Sequence, residues 1–590
     1  MTDTAEPTGA ASRGTIVIPE AGHRIEPTST AALDEAVDTV ADRLDSWVAL
    51  GVRTRIGLVD AVIEDTLAVA EAWADAIEDA LGVPEGSPQR GEGWLGGPVA
   101  TLSFLRRLRE TLQDIEETGR PQPPDIRTRP DGQVVVDTVP ADALDRVFYP
   151  FFEGEVRVRR GVDRDEVEQR IGGIYRDGAD DDGAVCLVLG AGNISAIPAR
   201  DTLSKLFFRN RVCVLKMNPV NEYVGPILEQ AFATLIDAGY LRIVYGGTAE
   251  GKHLTSHAGI DEIHMTGSDK THDAIVFGTG DEGRRRKQQG DPKLDKPITS
   301  ELGNVTPVII VPGPWSESDL AFHGDNLATS LVLNAGFNCI ASRVIVQHRE
   351  WARRHDLLDA VRESLSEYGR RDPYYPGARD RWRSFVDAHP EKAETYGPEG
   401  ENDVPWTLIP GVDPDQRDDV VFTTEVFAGV FAEVGLDAPR SVPDFIDQAV
   451  EFCNHQLWGT LAATIIVHPR SLQDPEVEAA LERAIDRLDY GTVTINHWSA
   501  LAYLLPTLAW GGAPGSPLED IQSGRGWVHN TFLVPEVEKS VLRGPFRTPS
   551  KPWWFHTYET GEELGEPAAR LYANDDWRVL PRIAWATIRA

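Results

Sequence analysis

One cysteine in this chain stands where a thiol can react. Cys339 lies in Asn334-Ala335-Gly336-Phe337-Asn338-Cys339-Ile340-Ala341-Ser342-Arg343, a glycine-hinged turn between the apolar segment Leu331 to Leu333 and the strand-like run Val344 to Val346. A thiol exposed on a turn can be a nucleophile, whereas one in mid-strand is usually apolar filling. Taken singly, an intracellular cysteine is more often structural. Cys186, Cys213 and Cys453 are scattered without Cys-x-x-Cys spacing, so neither a disulfide framework nor a zinc site is expected, and a reducing compartment fits. No metal centre is expected among the 14 histidines either. Lys216 is the second residue to single out. The chain has only 10 lysines, none before Lys205, yet this one ends the apolar run Val212-Cys213-Val214-Leu215. The chain has no Gly-x-Ser-x-Gly elbow and no Gly-x-x-x-x-Gly-Lys-Ser/Thr loop, which removes the usual serine-hydrolase and P-loop readings.

The elements around these residues alternate in a regular way. Ala184 to Leu189 is a continuous apolar run of buried parallel-strand type and opens onto Gly190-Ala191-Gly192-Asn193. A helix (Arg200 to Phe208), a strand ending in Lys216, a helix (Tyr223 to Ala238), a strand (Leu241 to Tyr245), a short helix and a strand (Glu262 to Met265) follow, the last leading into Thr266-Gly267-Ser268. Residues 279–297 read as a charged loop, and Ser300-Glu301-Leu302-Gly303-Asn304 precedes another buried strand, Val308 to Val311. This alternation predicts an α/β fold with a doubly wound parallel sheet, a nucleotide-binding layout. At 590 residues the chain exceeds one core, so more than one domain is expected. We divide it into a flexible tail (1–27), a dinucleotide-binding domain (28–304), a second α/β domain carrying the Cys339 turn (305–505), and a return to the first domain with a C-terminal extension (506–590). Within the second of these, the β-rich segment 133–158 hints at a role in oligomerisation. The tail beyond Asn530 holds Pro552-Trp553-Trp554-Phe555-His556 and is expected to cover apolar surface. A formal net charge of −35 opposes nucleic acid or an anionic membrane as a partner. With neither an apolar leader nor an apolar run of membrane-spanning length, a soluble cytoplasmic protein is expected.

From about Val185 to Asn530 the chain resembles the aldehyde dehydrogenase superfamily. The resemblance is carried, in order, by Asn193, Lys216, Met265-Thr266-Gly267-Ser268, Glu301-Leu302-Gly303, the Cys339 turn, Thr424-Glu425-Val426-Phe427, Gly491-Thr492-Val493-Thr494-Ile495-Asn496, Gly511-Gly512 and Ser523-Gly524-Arg525-Gly526. It implies a Rossmann-like cofactor domain plus an α/β catalytic domain, and NAD(P)-dependent oxidation of an aldehyde to a carboxylic acid through a thioester. It assigns Cys339 as nucleophile, Asn193 and the Cys339 backbone N–H as oxyanion donors, and Glu301 as the base that brings water. For the cofactor, NAD or NADP, it implies Lys216 at the adenosine ribose, Gly267 and Ser268 at the pyrophosphate, and Glu425 at the nicotinamide ribose. A homodimer or homotetramer is implied as well.

The member resembled is a divergent one. Pro219 stands where a glutamate often marks preference for NAD, His272 where a second glycine is common, Asn304 after Glu301-Leu302-Gly303, Phe337 for a glutamine, and Ala428-Gly429 for Gly-Pro. Two alternatives stay open: a coenzyme A-dependent acylating relative, which Glu301 disfavours, and a catalytically silent protein that keeps the fold. Singly, Asn193 could cap a helix, and Glu301 and Glu425 could be solvated carboxylates.

Overall fold

The computed structural model describes residues 13–176, 182–401, 403–439 and 441–590; residues 1–12 of the expected tail lie outside the described residues. Two sheets position the site. The first has the order Gly524–Arg525, Ile298–Leu302, Glu262–Gly267, Ala184–Leu189, Arg211–Lys216, Leu241–Val244. All pairs are parallel except Gly524–Arg525, which adds antiparallel to Glu301 and Ser300. Strand order reverses between Ala184–Leu189 and Glu262–Gly267, and the crevice beyond such a reversal is where doubly wound sheets bind ligands. Asn193 and Gly267 follow the carboxyl ends of these two strands. The reason for the layout is compositional: Val185, Cys186, Leu187 and Val188 are buried, as a strand covered by helices on both faces requires.

The second sheet has eleven strands. Its parallel part runs Trp406–Val412, Val430–Leu436, Ser342–His348, Thr306–Ile310, Ala462–Ile466, Thr492–Ile495, Val537–Arg543. The Cys339 turn therefore feeds a central strand. Helix Glu317–Val332 enters the turn from the other side, started by a capping box in which Ser316 and Asp319 satisfy each other's backbone N–H. Glu153–Val158, Val134–Val139 and Asp125–Thr128 continue the sheet antiparallel from Val537–Arg543. Segment 133–158 is thus paired inside its own chain, and Asp125–Thr128 is left as the outer strand.

Several expectations shift in detail. The stripe from Leu33 to Trp47 breaks into helices Thr30–Ala41 and Leu44–Val48, and the pattern Ile56 to Leu81 into Val52–Ala68 and Ala70–Ala80. The expected charged loop 279–297 contains a helix, Gly280–Gln289. Asp281 and Glu282 open it and Arg286 and Lys287 close it, the charge order that favours the helix macrodipole. Residues 13–27, expected to be loose, lie against the molecule: Gly14–Thr15 forms a parallel pair with Thr424–Glu425. Among the described residues no helix is long and apolar enough to cross a membrane.

The C-terminal aromatics pack. Trp553 stacks on Phe148 at 5.3 Å, and buried Trp554 meets Phe152 edge-on at 6.2 Å and Tyr149 in a stack at 6.2 Å. Helix Gly561–Asn574 then buries Leu564, Ala568, Leu571 and Tyr572. Truncation of such a side chain loses transfer free energy and leaves a cavity. Trp554→Ala is expected to lower unfolding free energy by about 3–5 kcal/mol, read as a lower urea midpoint. A loss under about 0.5 kcal/mol would show the extension to be an appendage.

Candidate active site

The Cys339 turn is built from backbone that few residues tolerate. Asn334, Ala335 and Gly336 have φ of +54°, +55° and +77° in succession. A Cβ at position 336 would stand 2.7 Å from the Gly429 nitrogen, so both the conformation and the close approach demand glycine. Such strain persists only where neighbours over-determine it. Here the neighbour is Arg343, buried, whose Nη2 donates to the carbonyls of Gly336 (3.0 Å) and Asn338 (3.3 Å). Its Nη1 donates to the carbonyls of Ala428 and Val430, tying the turn to the segment that carries Glu425. Phe337 is buried in a ring cluster with Tyr374 (5.0 Å), Tyr375 (5.5 Å) and Phe427 (6.1 Å).

Cys339 is partly exposed, whereas the other three cysteines are buried. Burial of the sulfur, then the carboxylates of Glu301 and Glu425, pushes its pKa well above the ordinary thiol value. Glu301 interacts directly with this thiol. It sits on Ile298–Leu302 opposite Thr266, is 2% exposed, and has an Oε1 without a hydrogen-bond partner. Burial and then the Asp201 charge push Glu301 up to about 8, against the opposing influence of the nearby Cys339 and Trp510 side chains. Asp201 itself is held by the Thr266 hydroxyl at 2.8 Å.

Asn193 reaches the same turn in a different posture from that expected of a free oxyanion donor. Its Nδ2 donates to the Phe337 carbonyl at 3.1 Å, and its own carbonyl accepts from the Tyr374 hydroxyl (3.2 Å) and Asn334 Nδ2 (3.3 Å). Nor does it cap the next helix, Ala196–Arg209, whose N-cap position is Ser195.

Of the expected cofactor residues, Lys216 and Gly267 end strands of the first sheet, Ser268 opens a helix, and Glu425 ends the short strand Thr424–Glu425. Lys216 ends its strand nearly buried; burial pushes it down to about 8, opposed by the carboxylates of Glu250, Glu20 and Glu222. Gly267 is exposed, and the Ser268 hydroxyl caps helix Asp269–Val276 by accepting from Thr271 N at 3.1 Å. His272, in place of a second glycine, is fully buried in that helix. Glu425 is 2% exposed and lies so close to Gly303 that a Cβ there would overlap its carboxylate. Burial pushes it up to about 8 against the pull of Arg343, and its Oε1 has no hydrogen-bond partner. A buried lysine, an exposed glycine before a helix N-terminus and an orphaned carboxylate are the kinds of group that could hold a dinucleotide's hydroxyls and pyrophosphate.

Sequence reasoning missed several residues here. Arg343, Asp201, Trp510 and Tyr374 carry no motif; the one available signal was an arginine at the head of an otherwise apolar strand. His253-Leu254-Thr255-Ser256-His257 is a His-x-x-x-His spacing that was overlooked. The structure joins both rings to Asp34 Oδ1, at 2.6 Å and 3.4 Å from their Nε2 atoms. His257 Nδ1 accepts from Gly259 N at 3.0 Å, so its neutral ring keeps the Nε2 proton for Asp34. That arrangement suits a hydrogen-bonded triad.

Residues 185–379 match the model of the aldehyde dehydrogenase family. N-succinylglutamate 5-semialdehyde dehydrogenase of Novosphingobium aromaticivorans is 25% identical over 291 residues, 47% of this chain and 55% of that protein. Geranial dehydrogenase of Castellaniella defragrans is 25% identical over 287 residues, 46% and 52% respectively. The matches thus span about half the length of these relatives. Among solved structures, an aldehyde dehydrogenase of Mycobacterium tuberculosis complexed with NAD+ aligns with TM-score 0.57 at 17% identity, over 88% of this chain and 91% of that one. The NADP-dependent glyceraldehyde-3-phosphate dehydrogenase of Bacillus halodurans, complexed with NADP, aligns with TM-score 0.58 at 15% identity, over 88% and 92%. At such identities the solved structures speak for the fold alone. Residues 185–379 are thus similar to the aldehyde dehydrogenase family, and the chain shares the fold of solved aldehyde dehydrogenases.

Proposed function

We propose that the chain oxidises an aldehyde to a carboxylic acid with NAD or NADP, through a covalent thioester on Cys339. The observation that carries this reading is the buried Glu301 carboxyl, whose charge is, after burial, the leading influence that raises the Cys339 thiol. Glu301 can take the thiol proton as sulfur adds to the carbonyl carbon, which leaves an oxyanion on the former carbonyl oxygen. The Cys339 N–H and the Asn193 amide are its donors, and Asn193 serves only after releasing the Phe337 carbonyl. The bound dinucleotide supplies the hydride acceptor; Lys216, Gly267, Ser268 and Glu425 are the residues to hold it. Hydride loss turns the adduct into a thioester. Once Glu301 has passed the first proton to solvent, it takes a second from water as the water oxygen adds. The C–S bond breaks, the leaving thiolate takes that proton from Glu301, and the acid leaves with Cys339 restored as thiol.

Water as the acyl acceptor follows from Glu301, since a thiol carrier needs no such base. Pro219 leaves the 2′-position of the cofactor ribose without a preference-setting carboxylate at that site, so both NAD and NADP belong to the reading. Assembly as a homodimer or homotetramer in the cytoplasm is part of it too, with the outer strand Asp125–Thr128 presenting the backbone edge for a partner copy.

In an aldehyde panel run in parallel with NAD and NADP, reduced cofactor is expected without coenzyme A and is abolished in Cys339→Ala. A requirement for coenzyme A would replace water as acceptor, and inactivity of the unaltered chain across the panel would leave a silent scaffold. Glu301→Gln is expected to give a burst of reduced cofactor with steady turnover collapsed. An unchanged steady rate removes Glu301 as the base. The electrostatics make a separate prediction for iodoacetamide labelling of Cys339. Near pH 9 Glu301 is ionised and holds the thiol pKa up. Removing that charge in Glu301→Gln lowers the thiol pKa, and labelling speeds up by about tenfold for each pH unit by which it falls. Near pH 6 Glu301 is protonated in the unaltered chain and the difference shrinks. Slower labelling of the variant near pH 9 would contradict the placement of the carboxylate.

A further inference from the structure

The N-terminal segment runs across the residues assigned to the cofactor. At one end Thr15, buried, pairs with Glu425 in a parallel register. Its backbone N–H donates to Asp269 Oδ1 at 2.9 Å, and its hydroxyl bonds to the same oxygen. Asp269 is the first residue of the helix that Ser268 caps. The Thr15 methyl is also packed so close to Gly303 that a Cβ there would stand 2.8 Å away. Farther along, Pro19 covers Gly377. Glu20 then places Oε1 2.7 Å from the backbone N of Thr248, at the start of helix Thr248–Thr255, with its charge beside Lys216. The segment is pinned again where Ile25 N donates to Glu222 at 2.8 Å and Arg24 lies over the Tyr223 ring at 5.6 Å.

We propose that residues 13–25 are an autoinhibitory strap that fills the dinucleotide crevice and leaves it when the cofactor binds; the proposal rests on the cofactor reading above. Two of the anchors coincide with assigned contacts. Thr15 takes the Glu425 end, where the nicotinamide ribose belongs, and closes the approach to the Ser268 helix. Glu20 takes the Lys216 end, its carboxylate on a helix N-terminus as an anionic group of a ligand would be. From Thr15 to Glu20 the extended chain reaches about 17 Å, a span that joins both ends of one crevice. The hold is also of a kind that can be released. Between the anchors the chain forms neither helix nor strand; Val17 is 72% exposed and Glu20 is exposed, with Ile18 partly packed on the core, so lifting the strap uncovers a limited apolar surface. What it gives up are polar contacts that the cofactor can replace.

A crevice occupied most of the time weakens apparent cofactor affinity by the fraction of molecules left open. The test is titration of the full chain with NADH and NADPH, followed by fluorescence, against the double variant Thr15→Pro, Glu20→Ala. Proline removes the N–H that Asp269 accepts, and alanine removes the anion at Lys216; neither residue belongs to the catalytic or cofactor set. The expected result is a Kd at least tenfold lower in the double variant. Equal Kd values in both forms, or weaker binding by the variant, overturn the strap while leaving the cofactor reading intact. Failure of both forms to bind either dinucleotide overturns the cofactor reading and the strap with it. A second measurement needs no variant: trypsin cleavage after Arg24 in the unaltered chain is expected to accelerate at saturating dinucleotide. Unchanged or slowed cleavage with cofactor bound counts against displacement, even where the double variant does not fold.

Discussion

The guanidinium of Arg343 holds together the two segments on which the rest of the site depends. It donates to carbonyls on the Cys339 turn and on the stretch after Glu425, so these two segments are fixed to one another by a single buried side chain. A buried cation is costly unless its donors are used, and backbone carbonyls take the two terminal nitrogens without neutralising the charge, while Nε is left without a partner. The left-handed run Asn334-Ala335-Gly336 is affordable because these bonds leave the turn no alternative path. Glycine is required at one of its positions and the alanine at another is strained, so the turn's shape comes from its surroundings more than from local preference.

Around that fixed cation the electrostatics favour neutral acids. Cys339, Glu301 and Glu425 are mutually close, and burial and their own charges push all three toward the protonated state. With Glu301 pushed up to about 8, the base rests largely protonated at neutral pH and cannot take the thiol proton until it has lost its own. Desolvation leads each of these shifts. Anything that admits water to the crevice therefore lowers all three together and brings the base into its working state. The closed crevice protects the thiol and rests the base by one physical cause.

Much of the fold was legible in the sequence because buried parallel strands leave continuous apolar runs, and their alternation with helices allows few topologies. Ala184 to Leu189 and Val212 to Lys216 are of this kind, and the structure places them as adjacent strands. The candidate site residues were picked out by the order of short motifs, and the fold brings Asn193 to the Cys339 turn and sets Glu301 on the strand beside Thr266. What was not legible is tertiary in origin. Helix Gly280–Gln289 has a mean composition that looks like a solvated loop, and only the sign order of its charges marks the ends. The pairing of Gly14–Thr15 with Thr424–Glu425 joins segments some four hundred residues apart and leaves no local pattern. The posture of Asn193 depends on competition between the Phe337 carbonyl and a future oxyanion, a balance that residue type does not encode.

Glu425 is the residue at which these constraints meet. It pairs with Thr15 of the strap, packs on Gly303 two residues beyond Glu301, and shares the field of Arg343 with Cys339. Its Oε1 is buried without a partner, a cost that a ribose hydroxyl would relieve and the strap does not. Exchange of strap for cofactor therefore trades an unsatisfied carboxylate for a satisfied one, on the same wall that raises the thiol pKa. A hydrogen bond to Glu425 spreads and stabilises its charge, while the loss of Thr15 opens the pocket to solvent. Both changes act on Cys339 through desolvation and charge, with no movement of the turn required. Cofactor occupancy and nucleophile state are thus coupled by position alone.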